Sequence, residues 1–208
     1  MRQRSRAFII ADPSDPASPT SRILLISSDI CMGDTGIRRS ILNALSDDPV
    51  LGGLYTPSNT ALVGTHSHAG VGGYLENLLP QVTSLGYVNQ TAQAIVDGTL
   101  NAIRKAHASL ATGSISAGNT TLLGANHNRS PSAYVANPVE ERAKYQYDQD
   151  KELSVLRLND VNGIARGLIS FFAVHGTSLY EVSCVISLAQ QRHHCRGIDL
   201  VNEEQYSG

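Results

Sequence analysis

The stretch Ala61-Leu62-Val63-Gly64-Thr65-His66-Ser67-His68-Ala69-Gly70 is a short apolar run that ends in two histidines between glycines. The apolar run predicts a strand, and residues at i and i+2 of an extended backbone point to the same side. His66 and His68 should therefore lie side by side where the strand ends. Because neutral imidazole is a common zinc ligand, the stretch predicts a metal site at a strand end. Two polar loop histidines that form local hydrogen bonds are the alternative.

A second apolar run, Gly167–Val174, leads directly into His175 and is followed by the small residues Gly176-Thr177-Ser178. In open α/β sheets, binding sites gather beyond the carboxyl ends of strands. We therefore expect the two strand ends to supply one site. Zinc takes four ligands and would activate water and polarise a carbonyl group there.

The alternation of strand and helix patterns predicts an α/β fold, a mixed β-sheet packed by helices. Five apolar runs and one segment that alternates with polar residues, Ser114–Leu122, predict six strands. Two segments with helical spacing predict helices, and a long polar segment with two prolines predicts a loop. The strands are Arg6–Ala11, Arg22–Asp29, Thr60–Thr65, Ser114–Leu122, Leu153–Leu158 and Gly167–Val174, the helices Gly36–Leu45 and Thr91–Leu110, and the loop Gly124–Lys151. The nearly continuous apolar character of Arg22–Asp29 indicates a buried strand.

Further zinc ligands could come from Asp29, at another strand end, from Asp34, or from residues that this chain does not contain. Both carboxylates have an ordinary alternative, since Asp29 could belong to a turn and Asp34 could cap the following helix. Arg129 lies in the long loop and is either a solvated side chain or a fixed cation for a substrate oxygen. Cys31 lies in an apolar stretch, which indicates a buried and inert thiol.

The composition limits the possible partners. The chain has 208 residues, of which 41% are hydrophobic and 16% charged, with a net charge of −2. Such a chain can bury a core and has no basic surplus that would predict a nucleic-acid partner. No apolar run approaches the roughly 20 residues of a spanning helix, so we expect no transmembrane segment. Only Ala7–Ala11 follows the basic start, so we expect no signal peptide.

Several motifs occur in an order and spacing that resemble the neutral ceramidase family, from about Ser5 to Tyr180. They are Gly64–Gly70, Asn89-Gln90-Thr91, Asn128-Arg129-Ser130-Pro131, Asn137-Pro138 with Glu141-Arg142, Asp150-Lys151, and Phe172–Ser178. The resemblance implies the N-terminal part of a catalytic domain that hydrolyses the N-acyl bond of ceramide to sphingosine and a fatty acid.

The resemblance also implies one Zn2+ with His66 and His175 as ligands, and catalytic roles for His68 and Arg129. His68 would support the water molecule or the substrate, and Arg129 would line the active site. Ceramide is the implied partner, with peripheral contact to membrane lipid. A secreted or cell-surface location is implied too, which three Asn-x-Ser/Thr sequences, at Asn89, Asn119 and Asn128, permit.

The sequence departs from the family after Glu181, where the family's Asp-Asn-x-Gly segment is replaced by Val182–Ile186. The family's glutamate and tyrosine zinc ligands and its immunoglobulin-like domain are not found in this chain. We expect residues 1–181 to be a partial neutral ceramidase catalytic domain and residues 182–208 an unrelated irregular tail. Two imidazoles alone should hold zinc weakly, so we expect this chain to be inactive.

Two other functions stay open at this point. Another metal-dependent amidohydrolase could use a His-x-His pair after a strand, although barrel-type sites need eight strands and further ligands. A non-catalytic binding fragment could keep the scaffold without the chemistry. Metal content separates the three: one tight zinc per chain favours a working ceramidase-type site, two metals favour the other amidohydrolase, and none favours the binding fragment.

Overall fold

Three short strands in the order β1-β2-β3 form a mixed sheet in the first part of the chain. They are β1 (Ser5–Ala11), β2 (Arg22–Ser28) and β3 (Thr60–Gly64). β1 pairs antiparallel with β2, whereas β2 and β3 are parallel. A parallel pair needs a crossover connection, which contains helix α1 (Thr35–Ser46). The predicted strands and helix are confirmed here.

The structure is a computed structural model that describes residues 3–176. These residues divide into two compact units, the first reaching Leu110 and the second spanning Ala111–His175. Each unit is considered by itself below. The predicted irregular tail at 182–208 lies outside the described residues.

The core of the first unit lies between its sheet and two helices, α1 and α3 (Asn89–Ala108). The most deeply buried apolar side chains come from β2, α1, α3 and the loops that join them: Leu24, Ile26, Ile30, Ile37, Ile41, Leu45, Leu51 and Ile103. Burial alternates along β2, and Ile23 is 59% exposed. The expectation of a strand buried on both faces is therefore wrong, because the helices cover one face of the sheet.

Helix α1 begins as the sequence predicts. The side chain of Asp34 accepts a hydrogen bond from the backbone N–H of Ile37 at 3.0 Å, and its other oxygen accepts one from Glu76 N–H at 3.2 Å. The short helix α2 (Leu78–Thr83) lies between β3 and α3. None of the helices in residues 3–176 combines the length and the apolar character that crossing a membrane requires.

An antiparallel sheet in the order β4-β5-β6 forms the second unit. Its strands are β4 (Gly113–Thr121), β5 (Glu152–Asp160) and β6 (Ala165–Phe172), and β5 and β6 form the predicted hairpin. The long connection between β4 and β5 contains two short helices, α4 (Pro131–Val135) and α5 (Val139–Arg142). The prediction of a loop over 124–151 is therefore wrong in part, because Pro131 at the first position of α4 favours a helix start and Pro138 directly precedes α5 as its N-cap residue. The fold class, a mixed α/β arrangement, is confirmed.

The last turn of α3 carries a histidine that should make the first unit sensitive to acid. His107 Nδ1 lies 2.8 Å from the hydroxyl of Tyr55, which also faces Arg22 at 3.4 Å. Burial, followed by the charge of Arg22, lowers the pKa of His107 below its ordinary value. The folded state therefore binds this proton less readily than the unfolded chain, and its stability is full above about pH 6.5 and declines as the pH falls below it.

The prediction is a lower melting temperature at pH 5.5 than at pH 7.5, and a smaller difference in the variant His107→Gln. Glutamine keeps a side chain that can hydrogen-bond to the hydroxyl of Tyr55 but does not titrate. Thermal unfolding followed by circular dichroism at the two pH values checks this. Equal shifts in the wild type and the variant would assign the acid sensitivity to another group.

Candidate metal and catalytic site

The site predicted from the two histidines lies where the parallel strands β2 and β3 end. Ser28 and Gly64 are paired at the carboxyl ends of these strands. The backbone N–H of Thr65 continues the pairing by donating to the carbonyl of Ser28 at 2.9 Å. Because the parallel strands β2 and β3 end at the same edge of the sheet, the residues that follow β2 lie beside those that follow β3.

Three possible metal donors meet at this edge. The side chains of Cys31, His66 and His68 each have one ligand atom, and these atoms all lie within 4.8 Å of one another. The two imidazole rings are in edge contact, with centroids 4.9 Å apart. Both histidines are exposed and Cys31 is half-buried. The prediction of a buried Cys31 is therefore wrong, because the residue follows β2 into the loop that faces the histidines.

His66 turns the chain instead of extending it. Its φ angle of 57° lies in the left-handed region, and β3 already ends at Gly64. The expectation of an extended backbone from His66 to His68 is therefore wrong. The two rings are nevertheless in contact, as expected. A left-handed conformation is uncommon for a residue with a side chain, and residues held in strained conformations cluster at functional sites.

The orientation of the His66 ring is fixed by a backbone contact. Its Nδ1 lies 2.7 Å from the carbonyl oxygen of Cys31. A carbonyl oxygen can only accept, so Nδ1 carries the proton and Nε2 is the ring atom with the lone pair. Metal-binding histidines use this arrangement, in which one ring nitrogen donates to a carbonyl and the other can face the metal. The donor set and this geometry fit a zinc ion.

The carboxylates considered as further ligands have other partners. Asp29 forms an ion pair with Arg6, at 2.9 Å, and accepts a hydrogen bond from the backbone N–H of Arg4 at 3.0 Å. Asp34 is buried and uses both oxygens at the start of α1, as described above. Both residues therefore follow the ordinary alternatives, a turn contact for Asp29 and a helix cap for Asp34.

Arg129 and His175 belong to the second unit. Arg129 is exposed in the loop before α4, and His175 is exposed three residues after the end of β6. The Asn126 side-chain amide joins the two segments, since it donates to the carbonyl of Asp150 at 2.8 Å and to that of Ala173 at 2.7 Å. Lys151 donates to both oxygens of Asn126 at 2.8 Å.

The contacts of Asn126 and Lys151, which link the loop before α4 to the segment after β6, were not predicted from the sequence. The signal for Lys151 was present, because the Asp150-Lys151 motif contributed to the family resemblance. The strands that precede His66 and His175 belong to different sheets. It stays a prediction that His66 and His68 form one site with Arg129 and His175. A surface cavity of about 350 Å³ in the second unit is lined by none of the four predicted residues.

The comparisons with known proteins agree with the fold and the motifs. A sequence profile described as "Neutral/alkaline non-lysosomal ceramidase, N-terminal" matches residues 1–190. The chain belongs to this ceramidase family. It is 40% identical over 186 residues to neutral ceramidase 1 of Arabidopsis thaliana and 36% identical over 183 residues to the neutral ceramidase of Drosophila melanogaster. These matches cover 89% and 88% of the chain but only 23% and 25% of the relatives, so the chain spans about a quarter of their length.

The ceramidase fold is shown by a solved structure as well. The crystal structure of neutral ceramidase from Pseudomonas aeruginosa superimposes with a TM-score of 0.77 and 33% sequence identity. The match covers 86% of this chain and 27% of the bacterial chain. A second structure, titled a ceramidase complexed with C2, gives the same TM-score at 34% identity.

Proposed function

We propose that this polypeptide belongs to a zinc-dependent amide hydrolase that cleaves the N-acyl bond of ceramide. Water adds across the amide bond, so that the acyl carbon takes the hydroxyl and leaves as a fatty acid, while the amine of sphingosine takes the proton. The observation that carries the proposal is the histidine pair at the joint end of β2 and β3, in a chain of the ceramidase family.

Each predicted residue has a distinct task in this proposal. His66 and His175 bind the metal, and the carbonyl of Cys31 holds the His66 ring in the tautomer that binding needs. Zinc supplies a Lewis acid at such a site. His68, beside His66, orients water or the substrate amide, and Arg129 offers a fixed positive charge to the oxygen that becomes negative.

We propose further that the 208 residues by themselves release fatty acid far more slowly than the full-length relatives. Zinc takes four ligands, and the proposed set has two imidazoles in this chain. The glutamate and tyrosine ligands implied by the family resemblance are not found in it. A weakly held metal would leave the water and substrate groups without their central partner.

The decisive experiment measures fatty-acid release from a labelled ceramide in two proteins. The first is the purified 208-residue chain with added zinc, which should be nearly inactive. The second is a chimera in which residues 1–181 replace the matching segment of the Pseudomonas aeruginosa enzyme, which should hydrolyse ceramide and lose that activity with His66→Ala. A folded, zinc-loaded chimera without activity would contradict the proposed function. Turnover of the 208-residue chain close to that of the bacterial enzyme would contradict its proposed inactivity.

The partner proposed with this activity is a lipid, and one exposed segment suits contact with a lipid surface. Leu78, Leu79, Val82 and Leu85 of residues 77–88 are between 65% and 96% exposed, and Tyr87 is 45% exposed. No charged residue occurs from position 77 to 96. Apolar side chains with a neighbouring tyrosine and no charge suit the boundary of an uncharged membrane. We propose that this apolar segment touches the lipid in which ceramide resides.

The double variant Leu79→Asp with Leu85→Asp should bind vesicles of phosphatidylcholine and ceramide at least about 10-fold less tightly, because two exposed apolar side chains that would enter the lipid are replaced by charges. Cosedimentation with the vesicles measures this binding. A matched pair, Val50→Asp with Val161→Asp, changes exposed valines outside the segment and should leave binding unchanged. An equal loss in both pairs would contradict the assignment of the segment.

We also propose the secreted or cell-surface location that the family resemblance implies. The side chains of Asn89 and Asn119, which begin two of the glycosylation sequences, lie in exposed residues, which supports it. A tagged protein expressed from its own gene should appear in the culture medium or on the cell surface. Retention inside the cell would contradict this proposal.

A further inference from the structure

The surface cavity of the second unit has no task in the proposed hydrolysis. Its volume is about 350 Å³, and residues of α4, of α5 and of the segment 143–148 line it. Small-molecule sites in proteins typically occupy about 300 to 1,000 Å³, so the cavity has room for a small ligand. The chemistry of its lining shows which class of ligand suits it.

Three aromatic side chains belong to the lining: Tyr134, Tyr145 and Tyr147. Tyr134 and Tyr147 are half-buried, whereas Tyr145 is exposed. The hydroxyl of Tyr145 donates to a carboxylate oxygen of Glu141 at 3.2 Å, and this hydrogen bond raises the pKa of the phenol, which stays neutral. Aromatic rings attract cations, and groups of several rings are the usual receptors for quaternary ammonium ligands. The three tyrosines therefore favour a ligand with an ammonium group.

The two charged residues of the lining, Arg142 and Asp148, have opposite signs and do not neutralise each other. Among the residues that the structure describes, neither takes part in an ion pair, whereas the nearby Glu141 and Lys144 pair together. The Arg142 guanidinium donates from Nε to the carbonyl of Asn137 at 3.2 Å, which leaves its terminal nitrogens for other acceptors. The cavity therefore suits a ligand that carries a negative and a positive group some distance apart.

Hydrogen bonds hold the backbone of both charged residues. The carbonyl of Arg142 accepts from the backbone N–H of Tyr145 at 3.2 Å. The carbonyl of Asp148 accepts from the side-chain amide of Asn128, in the loop before α4, at 3.3 Å. Because these contacts lie within the second unit, the cavity does not depend on the first unit or on the proposed metal ligand His66.

We propose that this cavity binds a phosphocholine group. The three tyrosines and Asp148 receive the quaternary ammonium, and the terminal nitrogens of Arg142 receive the phosphate oxygens. Two methylene groups separate the charges of phosphocholine, as two charged residues that do not pair require. Free phosphocholine and the head group of a choline lipid share this chemistry. The site uses none of the residues proposed for hydrolysis, so it stands or falls separately from the proposed function.

Calorimetric titration of the 208-residue chain with soluble phosphocholine tests the site without a membrane. We expect saturable binding at one site per chain, with inorganic phosphate and betaine at least about 10-fold weaker. Arg142→Gln and Tyr147→Leu should each weaken binding at least about 10-fold, whereas Tyr147→Phe keeps the ring and should bind as the wild type does. Arg166→Gln, which changes an exposed arginine of β6 outside the cavity, is the matched control.

Cosedimentation with phosphatidylcholine vesicles separates the two sources of the group. Competition by soluble phosphocholine, together with weaker vesicle binding of Arg142→Gln, would assign the site to a lipid head group. Vesicle binding that neither changes would assign it to free phosphocholine. The wild-type titrations need no substitution, so they do not depend on the folding of a variant. No saturable binding of phosphocholine, equally tight binding of phosphate or betaine, or an equal loss in Arg166→Gln would overturn the proposal.

Discussion

Replacing His66 with alanine should reduce the zinc affinity of the 208-residue chain by more than about 100-fold. Loss of an outer-shell partner alone costs about 10- to 100-fold in metal affinity, and His66 is proposed to bind the metal itself. The carbonyl of Cys31, 2.7 Å from Nδ1, already orients the His66 ring, so the wild type loses little side-chain entropy when the ring binds the metal. Competition with a chromophoric chelator measures the affinity.

The controls for this prediction separate the role of His66 from a general loss of histidine. His127→Ala removes an exposed histidine outside the predicted site and should bind zinc as the wild type does. His175→Ala tests whether the second unit contributes a ligand, and a loss equal to that of His66→Ala would support one shared metal. Wild-type affinity in His66→Ala would exclude the histidine from the metal site.

Local signals explain why much of the first unit could be predicted from the sequence. Strands β2 and β3 are short apolar runs, and α1 repeats its apolar residues at helical spacing, so each element follows from nearby residues. The cap at Asp34 is local too, since the side chain bonds to a backbone group three residues ahead.

The arrangement of strands into sheets could not be predicted in the same way. The runs before His66 and His175 look alike in sequence, yet β3 lies in one sheet and β6 in another. A strand's apolar pattern shows that it needs a buried face but does not name its neighbour, which depends on contacts between distant residues. Because the neighbour of each strand is not known from its sequence, a complete set of metal ligands cannot be predicted from the residues at strand ends.

The misjudged thiol of Cys31 has a more specific cause. Its apolar neighbours indicate a buried strand, but β2 ends at Ser28 and the chain then turns toward the end of β3. The parallel pairing of β2 with β3 would have revealed this, because residues just beyond two neighbouring parallel strands lie together. The left-handed turn at His66 carries no comparable signal, since glycine and not histidine usually marks that conformation.

The same small substitution at two glycines should change stability in opposite directions. At Gly64, the added Cβ would meet the Ile30 carbonyl oxygen at 2.7 Å and Met32 Cα at 3.0 Å, and both are backbone atoms that cannot rotate away. Gly64→Ala should therefore lower the free energy of unfolding by roughly 1 to 3 kcal/mol, the usual cost of overpacking. At Gly98, inside α3, nothing lies within 4 Å of the added atom. Gly98→Ala should raise stability by roughly 0.5 to 1 kcal/mol through helix propensity.

Urea unfolding followed by circular dichroism compares the two variants, and zinc affinity separates a local from a general effect. Gly64→Ala should lose zinc affinity as well as stability, because β3 and the Cys31 segment must move apart and carry His66 away from the carbonyl that orients it. Gly98→Ala lies outside the metal site and should keep the wild-type affinity. Wild-type stability and affinity in Gly64→Ala would show that the Ile30–Met32 segment can shift, and that the donor cluster does not depend on the close approach at the end of β3.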